Sequence, residues 1–141
     1  MKNVRNAITG LNPSHIHVAS DPRNFVFGSN ELGIHGAGAA LYAHKELAVP
    51  QGMGEGITMR AYALPTCSRP GIPLPLDTVR FYVERFLRVA RGFQEIRFFV
   101  SEVGCGHAGY SASDIAPLFA GVTANCDMPP GWRRLAGESV R

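Results

Sequence analysis

Cysteine is scarce in this chain. Cys67, Cys105 and Cys126 are the only three in 141 residues. An odd number at wide spacing does not make a disulfide framework and points to a reducing, cytoplasmic setting. Long apolar runs are missing: no stretch approaches the roughly 20 residues that a membrane-crossing helix needs. The first residues also lack an apolar run followed by a cleavage site, so neither a membrane partner nor a secretory signal is expected. Charge of one sign is in short supply. Fourteen Lys and Arg against 11 Asp and Glu leave a net charge of +3, scattered along the chain. That excess helps to draw in a small anion but is too weak and dispersed for a nucleic-acid partner. Close pairs of metal ligands are absent as well. Cys105 and His107 with Cys67 or Cys126 lack the tight pairing of a zinc tetrad, so no metal and no cofactor is expected. There is no internal repeat.

The composition that remains, 45% hydrophobic and 18% charged, is that of a soluble globular protein, and the length suits one domain with one core. Glycine is placed with purpose. In 24–47, NFVFGSNELGIHGAGAALYAHKEL, an apolar strand (Phe25, Val26, Phe27) leads into a turn with Gly33, Gly36 and Gly38, and then into an apolar helix. Glycine permits positive φ and lets a ligand reach the backbone without meeting a β-carbon. The first N–H groups of a helix lack internal partners and, with the helix dipole, attract phosphate. Residues 100–119, VSEVGCGHAGYSASDIAPLF, repeat the same order of strand, glycine loop and capped helix. Two such loops in a small domain suit a ligand with a phosphate pair. Neither loop is GxxxxGK[ST], and neither is GxGxxG with an acid after a second strand, which sets aside P-loop NTPases and NAD-dependent dehydrogenases.

Along the chain, residues 1–14 are polar and aperiodic and read as a loosely ordered arm, followed by a single domain over 15–141. His15–Ala19 alternates like an edge strand. Ala37, Ala40, Leu41, His44 and Leu47 follow a helical period that stops near Pro50. Gln51–Arg60 reads as a loop. Ala61–Thr66 reads as a strand that Pro65 ends, and Cys67–Leu76 as an irregular excursion. Asp77 is expected to cap the clearest helix, which buries Val79, Tyr82, Val83, Phe86, Leu87, Ala90 and Phe93 and sets Arg80, Glu84, Arg85, Arg88 and Arg91 toward solvent. Ile96–Val103 is the next strand. Ser111 and Asp114 have capping-box spacing. The last segment, from Asn125, is expected to cover the body with Trp132. The alternation indicates an α/β sandwich whose ligand crevice lies outside the carboxyl ends of the strands.

FGSNxxGxHGAGAA, then GEG, YALPT and VGCGxAGYxxxDIAPLF, resembles a macrodomain, and in particular small macrodomain-like proteins of phages and prophages. The likeness spans about Asn24 to Trp132. It implies a three-layer α/β/α sandwich with a mixed central sheet, and a cytoplasmic protein that binds ADP-ribose or a related nucleotide diphosphate. In some members it also implies hydrolysis of ADP-ribosyl or phosphate-ester linkages. By the likeness, Asn30, with Gly28 and Ser29 before it, contacts the distal ribose. Gly33, Ile34, His35, Gly36, Ala37 and Gly38 form the loop around that ribose and its phosphate, with Ala37 interrupting the usual glycine run. Gly104, Cys105, Gly106, His107, Ala108, Gly109 and Tyr110 cradle the diphosphate. Asp21 is the carboxylate that chain order offers to the adenine amino group.

Taken singly, several of these residues have two readings. Asn30 fits a ligand contact or a turn residue bonding its own backbone. His35 fits a general acid or base, which would pair with Asn30 as the catalytic set, or a loop residue packed on the helix. Glu102 and Glu55 suit water activation or sugar hydroxyls, or else plain structural carboxylates. Cys105 sits near a helix start, which lowers a thiol pKa, although a compact buried residue is the plainer reading. Two other functions fit the chain: a non-catalytic nucleotide reader or scavenger, and an interaction protein whose glycines only serve packing.

Overall fold

The computed structural model describes residues 7–10 and 12–138. Its frame is a mixed sheet. The central strand β3 (Asn24–Asn30) pairs in parallel with β5 (Ala61–Arg69) on one side and with β7 (Phe98–Val100) on the other. The short β4 (Gly56–Ile57) and β6 (Ile72–Pro73) run antiparallel to β5, and β8 (Cys126–Asp127) lies parallel to β7. Helix α1 (Gly38–Leu47) covers one face. Helices α2 (Leu76–Gly92), α3 (Ala112–Ile115) and α4 (Trp132–Leu135), with a 3-10 turn at Ala116–Phe119, cover the other.

The alternation of side chains along each strand divides the core. Phe25 and Phe27 of β3, Ala61 and Ala63 of β5 and Phe99 of β7 meet Ala40, Ala43 and Leu47 of α1. Val26, Tyr62, Leu64, Phe98 and Val100 point the opposite way, to Val79, Val83, Phe86 and Ala90 of α2. Phe25 stands beside Ala61 and Phe27 beside Ala63 across the β3–β5 ladder. Small residues next to large rings let α1 sit close to the sheet without a void.

Several elements depart from the sequence reading. Within the arm, Ala7–Thr9 forms β1, antiparallel to β2 (Ile16–Val18), in a separate two-stranded sheet. Residues 1–6 and 11 of that arm lie outside the described residues. β5 runs on through Pro65, because the β3–β5 register slips between Ser29 and Asn30, opposite Pro65 and Cys67. A bulge is where a strand tolerates a residue without an N–H. Cys67–Leu76 is a hairpin turn rather than an irregular excursion, with Cys67 and Leu74 buried. Asp77 lies inside the first turn of α2; the cap position is Pro75, which has no side-chain acceptor. Phe93 is 44% exposed, outside the buried stripe, and Tyr82 is half-buried with its hydroxyl donating to Glu31 at 2.6 Å. β7 is shorter than Ile96–Val103, and Ser101 already belongs to the loop.

The Ser111–Asp114 capping box is present in both directions. Trp132 is buried against Phe119, at 5.9 Å between rings. The Asn125 amide donates to the carbonyls of Ala90, Phe93 and Ile96, closing the end of α2. Among the described residues no helix is long and apolar enough to cross a membrane, and no group of three or more His, Cys, Asp or Glu could hold a metal ion.

Candidate functional site

A cleft of about 580 Å³ opens where the carboxyl ends of β3, β5 and β7 meet the two glycine loops. The first loop brings Ile34, Gly36, Ala37 and Gly38 to its wall, after Gly28, Ser29 and Asn30 from the end of β3. The second contributes Gly104, Gly106, His107 and Ala108. The rest of the wall was not legible in the glycine pattern. Ile8, Thr9 and Gly10 come from the hairpin, His15 from just before β2, Thr66 and Cys67 from the end of β5, and Phe99, Ser101 and Glu102 from β7 and beyond. Their only common property is position at one end of the sheet.

Both loops are fixed by their own backbone contacts. Gly33 N–H donates to Asn30 O, and a β-carbon on Gly33, where φ is +72°, would lie 2.3 Å from the Gly52 carbonyl carbon. Gly54 of the GEG stretch packs in the same manner beneath Asn30 and Glu31. Gly33 and Gly54 are therefore required by backbone packing. Gly104, at φ +79°, has Ile115 in the place of a side chain. Cys105 N–H bonds Glu102 O, Gly109 N–H bonds Gly106 O, and Tyr110 N–H bonds Gly104 O. Among the described residues the amides of Gly36, Ala37, Gly38, Gly106, His107 and Ala108 have no hydrogen-bond partner, and α1 has no side-chain cap. No heavy atom lies within 4 Å of the place where a β-carbon would stand on Gly36 or Gly106.

Asn30 lines the cleft but its amide is engaged. Its Nδ2 donates to Ile34 O at 2.8 Å and its Oδ1 accepts from Ile34 N at 3.0 Å, so the side chain shapes the loop from within. His35 faces away. It is fully buried, edge-on to Phe27, with Nε2 on Met53 O at 2.9 Å and its backbone clasped by the Gln51 amide. Met53 O can only accept, so the proton sits on Nε2; Nδ1 is bare and has no partner among the described residues. Burial holds the His35 pKa below its ordinary value. The expected catalytic pairing of Asn30 and His35 is therefore not assembled: the ring is buried and does not line the cleft.

Other expected positions also lie outside the wall. Gly33, Cys105, Gly109 and Tyr110 do not line the cleft, and the Tyr110 hydroxyl donates to Leu74 O at 2.5 Å. Burial, with Glu102 and Asp114 nearby, pushes the Cys105 thiol up to about 11, the reverse of an activated nucleophile. Asp21 is not at the cleft. It is bonded to Arg23, which also reaches Asp127, and that guanidinium holds its carboxyl below the usual range. Glu55 is paired with Arg85 at 2.6 Å, likewise away from the wall. Glu102 does line the cleft. Its Oε1 accepts from Asn12 N at 3.2 Å, and Gly10 packs so closely against the carboxylate that a β-carbon there would lie 2.1 Å from Oε1.

The electrostatics of the wall are unusual. Among the described residues it holds no Lys or Arg; Glu102 is its single carboxylate, and His15 and His107 are its imidazoles. His15 is committed, with Nε2 at 2.8 Å from Val100 O and its ring stacked on Phe99 at 4.0 Å. An anion in this cleft would be held by peptide N–H groups and the α1 dipole. Comparison of the chain with protein-family models, with curated proteins and with solved structures finds no match.

Proposed function

We propose that the cleft binds ADP-ribose or a related nucleotide diphosphate within a macrodomain-like α/β/α architecture, in a protein of the cytoplasm. One observation carries this reading: residues of two separate glycine loops whose amides have no partner among the described residues line a single cleft, and no Lys or Arg does. Backbone donors of this kind suit the spread-out charge of a diphosphate, and a helix start supplies the favourable field. The volume lies within the range of pockets that enclose a small organic ligand. Phe99 and Ile8 offer apolar wall for a base or sugar face.

Binding without turnover is the reading favoured over hydrolysis. His35 is buried and does not line the cleft, and the Asn30 amide is occupied by Ile34, so the expected acid–base pair does not face a substrate. Asn30 is a positioning residue for the first loop. Isothermal titration with ADP-ribose is expected to give saturable one-to-one heat, and incubation with ADP-ribosylated protein to release no product. A folded protein that gives no heat at millimolar ADP-ribose would leave only a packing role for the loops.

A further inference from the structure

We propose that the part of the cleft beside the β1–β2 hairpin is an acceptor-lined subsite, in which His15 and Glu102 take hydrogen bonds from the base amine or the terminal sugar diol of a nucleotide ligand. The inference deepens the diphosphate reading above and rests on it. Its ground is the balance of donors and acceptors around the wall. Three hydroxyls of the wall are spent on backbone carbonyls: Ser29 donates to Gly54 O at 2.6 Å, Thr66 to Ser29 O at 3.4 Å and Ser101 to Val26 O at 2.7 Å. Both ends of the Asn30 amide are taken by Ile34. The unspent donors of the wall are therefore chiefly main-chain amides of the two glycine loops, with Thr9 and His107 exposed.

Two acceptors stand together where the chain before β2 meets the chain leaving β7. Val100 O can only accept, so the neutral His15 ring donates from Nε2 at 2.8 Å and keeps Nδ1 as an acceptor. That Nδ1 has no partner among the described residues and is not buried. The ring itself is fixed, stacked on Phe99 at 4.0 Å. Glu102, two residues past Val100, is fixed as well. Its Oε1 accepts from Asn12 N at 3.2 Å and Gly10 packs against the carboxylate, while Oε2 is buried with no partner among the described residues. A carboxylate oxygen left without a donor is costly, and a hydroxyl or amino group brought by a ligand relieves it. No Lys or Arg of the wall offsets this charge among the described residues, so a phosphate beside Glu102 is repelled. The cleft thus sorts a ligand by hydrogen-bond sense: phosphates to the loop amides, donor groups to His15 and Glu102.

Calorimetry on the whole chain at pH 7.5 compares three probes. They are ADP-ribose, its inosine analogue, whose base has a carbonyl in place of the amine, and ADP, which lacks the terminal ribose. The wild-type protein is expected to bind ADP-ribose roughly tenfold more tightly than one analogue: the inosine analogue if the amine is read, ADP if the terminal diol is. Glu102→Gln puts an amide donor beside the acceptors, and His15→Phe keeps a ring on Phe99 without its nitrogens; circular dichroism and urea unfolding verify both folds. Each variant is expected to lose roughly tenfold in affinity for ADP-ribose and to bind that same analogue as the wild type does. Equal wild-type affinity for all three probes overturns the subsite and leaves the diphosphate reading standing. So does a folded variant that binds ADP-ribose unchanged, or that weakens all three equally. No heat from the folded wild-type protein with any probe overturns both.

Discussion

Gly33 and Gly36 belong to one loop and serve different ends. A methyl group on Gly33 would collide with the Gly52 backbone at a positive φ, whereas Gly36 has open space and faces the cleft. Gly33→Ala is accordingly expected to destabilise the fold by about 2–4 kcal/mol through left-handed strain and overpacking together. Gly36→Ala is expected to leave stability within about 0.5 kcal/mol and to weaken ADP-ribose at least tenfold, because its β-carbon would stand where the ligand meets the amides. Urea unfolding and calorimetry on the two variants separate these effects, and unchanged affinity in Gly36→Ala would show that the ligand keeps away from this loop. Sequence reading located these glycines but could not sort them. The pattern records where the backbone needs freedom, while the neighbour that demands it, such as Gly52 or Ile115, is supplied by the fold. Asn30 illustrates the same limit: a short amide after a strand suits a ligand or its own loop equally, and Ile34 takes both ends of it.

Of the β1–β2 hairpin the sequence shows one half: His15–Ala19 alternates and contains β2, whereas β1 lies in the aperiodic stretch, and what fixes both strands lies far along the chain. His17 is fully buried among Phe25, Tyr42 and Phe99, with Nδ1 at 2.8 Å from the Tyr42 hydroxyl and Nε2 at 3.2 Å from Arg23 O. Burial holds its pKa below the ordinary 6.5, so below that value the unfolded chain binds the proton more readily than the folded one. The contribution to stability is complete above pH 6.5 and is lost as the pH falls toward the folded pKa. His35 shifts in the same direction and adds to the slope. Urea unfolding between pH 8 and pH 5 is expected to show stability declining below about pH 6.5, with a shallower decline in His17→Phe. Amide exchange in Ile16–Val18 is expected to rise first. A wild-type protein equally stable at pH 8 and pH 5 would contradict the burial of both rings.

In the molecule as a whole, layered alternation was readable and strand order was not. The apolar run at Phe25–Phe27 announces a strand covered on both faces, and the arginine-bearing helix gives its buried stripe except at Tyr82 and Phe93. That β3 would sit between β5 and β7 depends on crossovers that leave no local mark, whereas the order of strand, glycine loop and helix already put both loops at the carboxyl ends of strands. Pro65 misleads because its tolerance comes from a bulge in the neighbouring strand.

The bare peptide wall of the cleft has one more consequence. Attraction that comes from fixed dipoles falls off within a few ångströms, and inside a cleft mobile ions screen it less than they screen the field of exposed ammonium and guanidinium groups. At pH 8, ADP-ribose affinity is expected to change less than about threefold between 50 mM and 500 mM sodium chloride, and titrations across that range would detect a steeper loss. On the proposed reading, scanning the arginines and lysines would pass over the binding site altogether, because the groups proposed to grip the ligand belong to the main chain.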